Sequence, residues 1–460
     1  MRIPARSFRW TDMKQYDAVV IGGGILGCMA ARNLRRWNIS TALLEQENDV
    51  CKGITRANSA ICYAGYDNKP GSLKAELTVR GNANMEALCR ELDVPFVRCG
   101  SLLVTYDAKA VSRLEKKLEN GIQNGVPGLR LLSGAEAEAM EPGLKTGVAA
   151  ALYAPTTGTV NPWKLGIAAF ENAVHNGADV FLNTTVTKIQ KDADGFLVET
   201  DGEIFSCKTI FNCAGLFADQ LQEMIAPPSV RLRLDAAEYL VFDSHVQKPE
   251  RIIFLQAETC GKGITAIPCV EGNLMISGVR KPLKQAFATT AEGLRELHTA
   301  TEDLLPDVDS SLVIRSFGAV RPNPYREDGA DVGDFCIENP IQGFYSLIAI
   351  KTPGLTASNE LTLLLAKQGA AYLNAEENPY FDPVRKAISV KAEPDFYEVI
   401  CQCGQVSRGE ILEAIRRGAT TVDGVKRRVG TGMGRCQGSR CHWKIAKILK
   451  EAGVNPSPLF

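Results

Sequence analysis

Two sets of residues in this 460-residue chain have the types and spacing that chemistry needs. The first is Gly22-x-Gly24-x-x-Gly27, with three glycines where a chain passing from strand to helix uses them: one turns the backbone, one lets it approach a pyrophosphate, and one permits close helix–strand packing. Phosphates would then sit on the amino end of the helix, where unpaired N–H groups and the helix dipole favour negative charge. Glu45, about twenty residues beyond Gly24, follows a second strand and places a carboxylate where ribose hydroxyls are bound. The set reads as a dinucleotide site; a ligand-free glycine turn is the bland alternative. The second set is Cys401-x-Cys403 with Cys436-x4-Cys441. Four thiolates hold zinc or an iron–sulfur cluster, and the one-residue gap is unusual for structural zinc. Zinc and a disulfide pair remain open on spacing alone.

The elements that must position these groups are visible in the pattern. Asp17–Ile21 reads as a short buried strand, Cys28–Trp37 as a helix and Ser40–Leu44 as the next strand. Residues 179–183 form a further strand, and 185–189 and 196–200 with Gly195 between them form a small β-meander. In the tail, Ser407-x-x-Glu410 ahead of Ile411, Leu412 and Ile415 is a capping box, Gly418 is a stop, and a second helix starts at Cys441 and carries Trp443, Ile445, Ala446, Ile448 and Leu449. Residues 376–394, with Pro379, Pro383 and Pro394 amid charges, read as a linker. The pattern gives an α/β (α+β) class with a Rossmann-like nucleotide-binding domain and a small helical carboxyl-terminal domain.

Composition bounds the function. The chain is 45% apolar and 23% charged with a net charge of −1, so it has no chain-wide basic field and nucleic acid is an unexpected partner. No apolar run approaches the ~20 residues that span a bilayer. The first dozen residues carry Arg2, Arg6 and Arg9 without the apolar stretch of a secretory signal. A targeting piece stays open there, and Met13 is the simpler start. Fourteen cysteines without such a signal point to a reducing compartment; the ten between Cys28 and Cys336 read as small buried hydrophobes. The expected location is cytoplasmic, with peripheral membrane attachment open.

Further motifs follow in order: Gly53-Ile-Thr-Arg-Ala-Asn-Ser59-Ala-Ile-Cys-Tyr63-Ala-Gly65, Gly100-Ser-Leu-Leu-Val104, Phe211-Asn-Cys-Ala-Gly215 and Lys351-Thr-Pro-Gly354-Leu-Thr-Ala-Ser358. Together they resemble the FAD-dependent D-amino-acid-oxidase-like superfamily, in the branch of glycerol-3-phosphate and L-2-hydroxyglutarate dehydrogenases. The tail, with Gly430-Thr-Gly-Met-Gly434 ahead of Cys436, resembles the bacterioferritin-associated-ferredoxin-like [2Fe–2S] domain. The resemblance implies FAD and a [2Fe–2S] cluster as cofactors. It divides the chain into an oxidoreductase unit at 16–375, the linker at 376–394 and a cluster domain at 395–460. Within the first unit it implies flavin-binding segments at about 16–90, 145–235 and 320–375, and an antiparallel-sheet substrate domain from segments at about 91–144 and 236–319.

By the same resemblance the flavin is bound by Gly22, Gly24, Ile25, Leu26, Gly27, Glu45, Gln46, Thr55, Asn58, Ser59, Val186, Ala214, Gly215, Gly354, Leu355 and Thr356. The cluster is held by Cys401, Cys403, Cys436 and Cys441. Val186 would lie against the adenine end. Arg321 would face the flavin and fork onto an anionic substrate, with Arg315 a weaker candidate, and Tyr239 would lie on the roof of the pocket. Alcohol-oxidising members carry histidine where this chain has Tyr63. None of the four histidines, His175, His245, His298 and His442, is well placed by sequence to accept a hydroxyl proton. The implied activity is oxidation of glycerol 3-phosphate or a 2-hydroxy acid such as 2-hydroxyglutarate, with electrons leaving through the cluster to a second redox subunit or a quinone. Two alternatives stand beside it: an amino- or imino-acid dehydrogenase with the same cofactors, favoured by Tyr63, and a non-catalytic electron-transfer subunit. From Ala392 onward eleven lysines and arginines face seven acidic residues, which suits a net-negative thiolate cluster or a solvated face.

Overall fold

A computed structural model describes residues 13–256, 262–278, 281–282, 285–330, 332–388 and 391–454. The arginine-bearing stretch 1–12 and Cys260 lie outside the described residues. The strand Lys14–Ile21 is central in an eight-stranded sheet. It runs parallel to Ile204–Asn212 on one side and Thr41–Leu44 on the other, with Asp179–Phe181 beyond the latter. Its Ala18-Val-Val-Ile21 run is wholly buried, as a parallel strand covered on both faces requires. The meander Val186–Lys191, Phe196–Thr200, Ile204–Asn212 forms one wing of the sheet. Helix Ile25–Leu34, starting closer to the glycines than the apolar pattern alone suggests, packs against Pro162–His175 and Gly354–Leu373 through Met29, Leu34, Leu165 and Leu361.

The second sheet has nine strands. Its axis is the long antiparallel pair Arg231–Phe242 and Val313–Tyr325, in register from Arg231 opposite Tyr325 to Leu240 opposite Ser316. Two segments expected in the flavin-binding half lie here. Ala150–Ala154 pairs with Ser101–Thr105 and Arg130–Ser133, and residues 320–325 continue the pairing with Arg231–Phe242 without a break. Strand pairing is cooperative along a ladder, so the boundary follows hydrogen bonds rather than motif edges.

The carboxyl-terminal domain packs helices Arg408–Arg416, Val422–Val429 and His442–Glu451 with the short strands Val399–Cys401 and Val406–Ser407 around Ile400, Ile411, Val425, Ile445 and Leu449. The capping box closes from both sides: Ser407 accepts the Glu410 N–H, and Glu410 accepts the Ser407 N–H at 2.8 Å. Gly418 ends the first helix at φ +96°, a conformation that favours glycine. Residues 376–388 carry no regular element yet are strapped down. Asn176 and Asn172 donate to the Asp382 carbonyl at 2.9 and 3.1 Å, and Arg385 meets Glu171 at 2.8 Å. The small domain is itself fastened through Asp49, which accepts from Arg427 at 2.6 Å and from Arg428 at 2.8 and 3.0 Å.

Candidate flavin, substrate and cluster sites

The carboxyl ends of the parallel strands open onto a cavity of about 590 Å³. At one end stands the glycine loop. A Cβ on Gly22 would lie 2.6 Å from the Cys213 carbonyl oxygen, and one on Gly27 would lie 1.8 Å from that of Gly22; both obstacles are backbone. Gly24 faces the open cavity with only Thr55 near, and the Thr55 hydroxyl accepts the Ile25 N–H at 2.9 Å, at the helix start. Glu45 accepts the Gly23 N–H at 2.5 Å and the Glu47 N–H at 2.9 Å. Burial raises its carboxyl above the ordinary range, against the pull of those two N–H groups and despite Lys52 nearby. Glu45 therefore braces the loop as well as lining the cavity. The far end is roofed by Ala237 and Tyr239 of one long strand and Ala319 and Arg321 of its partner.

Of the residues expected at the flavin, Gly22, Gly24, Ile25, Leu26, Glu45, Gln46, Thr55, Asn58, Ser59, Ala214, Gly215, Gly354 and Leu355 all line this one cavity. Three lie elsewhere. Gly27 is a packing glycine under the loop. Thr356 is buried behind the wall and accepts the Tyr63 N–H at 2.9 Å, so it positions Tyr63. Val186 pairs with Thr200 on the sheet's outer strand, with two strands between it and Lys14–Ile21, and is not among the residues lining the cavity.

Arg321 lies half-buried with its guanidinium donating to Thr352 at 3.0 Å and to Asn323 at 3.2 Å. It lines the main cavity together with Tyr63, Thr352 and Pro353, and the same four residues line a second chamber of about 280 Å³ that also holds Lys74, Lys117 and Asp67. The Tyr63 and Ser59 hydroxyls meet at 3.4 Å, and the Tyr63 ring stacks on Phe254. Tyr239 stacks on Phe317 with ring centroids 4.6 Å apart. Arg315, by contrast, is exposed and donates to Gln437 of the cysteine loop at 3.4 Å. It is not a pocket residue, because it lies four positions along the extended strand from Ala319. The histidines are also remote: His175 faces Asp382, His245 pairs with Asp243, His298 sits on the helix Ala291–Leu304 and His442 lies under the cysteine loop. Lys351 lines the main cavity within a motif that marked it, whereas Lys74 and Lys117 reach their chamber from separate helices and no local signal announces them.

The four tail cysteines converge from two loops. Cys403 and Cys436 have sulfurs 3.6 Å apart, and Cys401 and Cys441 are buried together. Burial and the neighbouring Cys401 push the Cys441 thiol up to about 12. At Cys436 burial opposes ionisation, yet the Gly438 and Arg440 N–H groups, Cys403 and Ser439 hold its thiol below the ordinary range. Glycines frame the loop: a Cβ on Gly434 would meet Cys403 at 2.5 Å, and one on Gly432 or Gly438 would meet the His442 ring at 2.3 or 2.0 Å. A donor set of four sulfurs drawn in as two pairs fits a two-iron cluster, and a cavity running from the glycine loop to the roof strands fits an elongated dinucleotide.

The comparisons agree with both. Residues 17–368 match the family described as FAD dependent oxidoreductase, and residues 399–451 match the BFD-like [2Fe-2S] binding domain. The chain is 38% identical over 463 residues to glycerol 3-phosphate dehydrogenase of Caloramator mitchellensis, covering 95% of each. It is 31% identical to the human mitochondrial L-2-hydroxyglutarate dehydrogenase over 67% of this chain and 69% of that one. In fold it is similar to L-alpha-glycerophosphate oxidase from Mycoplasma pneumoniae with FAD bound, at a TM-score of 0.74 and 23% identity, over 81% of this chain and 98% of the other. With both a dinucleotide cavity and a four-thiol loop, the chain belongs to the FAD-dependent oxidoreductase family and carries a [2Fe–2S]-binding domain in its carboxyl-terminal part.

Proposed function

We propose that the chain oxidises glycerol 3-phosphate at its secondary carbinol to the corresponding ketone and sends the electrons out through the cluster. The observation that carries this reading is Arg321 standing in the wall shared by two chambers, one continuous with the dinucleotide cavity and one holding Lys74 and Lys117. A small anion fits this division: carbinol carbon on the flavin side, phosphate across the guanidinium toward Lys74, with Lys117 beyond it paired to Asp67. Guanidinium and ammonium groups suit phosphate, the first by a fork and the second as a point charge. The 38% identity to a glycerol 3-phosphate dehydrogenase over nearly the whole of both chains supports the same substrate.

Bound FAD supplies a two-electron acceptor and the bound cluster a one-electron carrier. The chain's own residues do the rest. The glycine loop and the Ile25–Leu34 helix end hold the pyrophosphate, Glu45 and Gln46 the ribose, and Cys401, Cys403, Cys436 and Cys441 the irons. Tyr239, Ala237 and Ala319 exclude water from above. Tyr63, bonded to Ser59 and fixed by Thr356, acts as a relay: its phenol oxygen accepts the substrate's hydroxyl proton as its own proton passes to Ser59 and from there to water. The division into an oxidoreductase unit, a strapped connection and a cluster domain is part of this proposal, as is a cytoplasmic location. Among the described residues no helix is long and apolar enough to cross a membrane.

The test is anaerobic bleaching of the flavin by glycerol 3-phosphate, 2-hydroxyglutarate and amino acids in turn. Glycerol 3-phosphate should bleach it first, and Arg321→Ala should raise KM for that substrate about a hundredfold while FAD stays bound. Bleaching only by amino acids would establish the second reading, an amino- or imino-acid dehydrogenase. Tyr63 at the chamber junction favours that reading, since oxidation of an amine needs no base for a hydroxyl proton.

A further inference from the structure

The face of the cluster loop that meets solvent is built unlike the face that meets the rest of the chain. Helix Val422–Val429 turns Arg427 and Arg428 inward onto Asp49, and Arg417 reaches Glu171 at 3.0 Å. Cys51 in turn donates to the Gly23 carbonyl at 2.8 Å, so this buried network ties the small domain to the glycine loop itself. One orientation is fixed, and one edge of the loop is left outward. On that edge Cys403 is exposed and Cys436 partly so, whereas Cys401 and Cys441 are buried.

Cations crowd the outward edge. Residues 431–450 contain Arg435, Arg440, Lys444, Lys447 and Lys450 and not one aspartate or glutamate. Among the described residues, no ion pair engages Arg435, Arg440 or Lys444. Arg440 offers its N–H to Cys436, Arg435 is its neighbour in sequence, and Arg315 adds a sixth cation next to the loop through Gln437. The acid facing Arg435 is Asp243, which is 5% exposed and held by His245 at 2.6 Å. Trp443 stands 63% exposed, with the Lys444 ammonium 5.7 Å from its ring.

We propose that this edge is the docking surface for a one-electron acceptor protein with an acidic face, which takes electrons at Cys403 and Cys436. The proposal rests on the cluster-exit reading above. A cationic rim around a redox edge speeds encounter with an acidic partner, and the exposed Trp443 beside Lys444 supplies the aromatic residue type in which interface centres are enriched. Outward positions on His442–Glu451 are Trp443, Lys447, Lys450 and, at the far end, Glu451, which pairs with Lys447 at 3.8 Å. That face has a single apolar residue to offer a bilayer, which favours a protein over a lipid surface. Each carbinol that loses two electrons and two protons reduces two such acceptors by one electron each.

The test uses the full chain loaded with both cofactors and two probes, an acidic flavodoxin and the basic protein cytochrome c. Immobilised chain should bind flavodoxin, more weakly as salt rises. The variant R435E/R440E/K444E should lose at least tenfold in flavodoxin binding and in its reduction rate at low salt, flatten the salt dependence and gain on cytochrome c. Flavin bleaching by substrate should be unchanged, as should electron delivery to ferricyanide. If the triple variant loses cluster absorbance, R440Q/K444Q replaces it, and the binding measurement stands without turnover. Flavodoxin binding unmoved by these changes overturns the proposal, as does binding by the same residues to vesicles of anionic phospholipid in place of flavodoxin. Wild-type chain whose substrate-reduced flavin never reduces the cluster would instead sink the cluster-exit reading, leaving the charge-dependent binding to be judged separately.

Discussion

The glycine loop at Gly22–Gly27 and the cysteine loop at Gly430–Cys441 both meet a helix and both depend on glycine, but for different reasons. In the first, the atoms that forbid a side chain are carbonyls: Cys213 against Gly22, and Gly22 against Gly27. The loop is a backbone-only site in which amides and helix dipole meet a pyrophosphate. In the second, the obstacles at Gly432, Gly434 and Gly438 are the side chains of His442 and Cys403, packed close because thiolates must converge. A site made of backbone has no neighbour that can be trimmed to make room, whereas a site made of side chains has.

Four outcomes would sharpen or break that comparison. The largest effect is expected from Gly27→Ala, which forces the Gly22 carbonyl out of place; the purified chain should lose its flavin absorbance outright, and no second substitution should restore it. A variant with full FAD would show that the loop yields more than its geometry suggests. Next, Asp49→Ala strips Arg427 and Arg428, both buried, of their carboxylate, and should loosen the small domain by about 3–5 kcal/mol, seen as new proteolysis within 376–394 with flavin retained. Burial works against the Asp49 charge, but the bond from Arg428 and the field of both arginines hold its carboxyl below the usual range. A carboxyl with a depressed folded value contributes stability that is full above its unfolded value of ~3.9 and is lost as pH falls through the folded value. Wild-type docking should therefore hold through neutral and mildly acid pH and release only in strong acid; release near pH 6 would remove Asp49 from the role.

A smaller effect should come from Gly432→Ala, which combines a clash on His442 with a φ of +70°. Cluster-domain stability should fall by about 2–3 kcal/mol, and adding His442→Ala should recover all but the ~1–2 kcal/mol of left-handed backbone strain. Failure of that rescue would erase the distinction between the two loops. The smallest is Ser407→Ala, which opens the capping box and should cost about 1 kcal/mol in chemical unfolding of the cluster domain, without altering substrate-dependent bleaching in the flavin half.

Much of the site was legible because its signals are local. Gly22, Gly24 and Gly27 announce a turn whose sterics depend on neighbours within a few residues, and Ser407 with Glu410 announces a helix start. Cysteine spacing alone left zinc and iron–sulfur open, and the motif resemblance favoured the latter. Arg315 and Val186 show where such reading ends. Arg315 sits on the same strand as Arg321, yet extended backbone rises ~3.3 Å per residue, and six residues carry it out of the pocket to the cysteine loop. Val186 lies on a strand whose place in the sheet order follows from pairing, which no single segment encodes.

The sequence by itself determined the glycine turn, the four-thiol set and the alternation of strand and helix that builds the nucleotide half. These depend on residue type at short separations, where sterics and hydrogen bonding act between near neighbours. Only the tertiary structure decided that Arg321 divides two chambers, that Lys74 and Lys117 share one of them, and that the linker is strapped along Glu171. It also decided that Asp49 locks Arg427 and Arg428 so that the cysteine loop shows a single cationic edge. Those facts join residues tens to hundreds of positions apart, and they are fixed by burial: a carboxylate removed from water demands its partners wherever the chain can bring them.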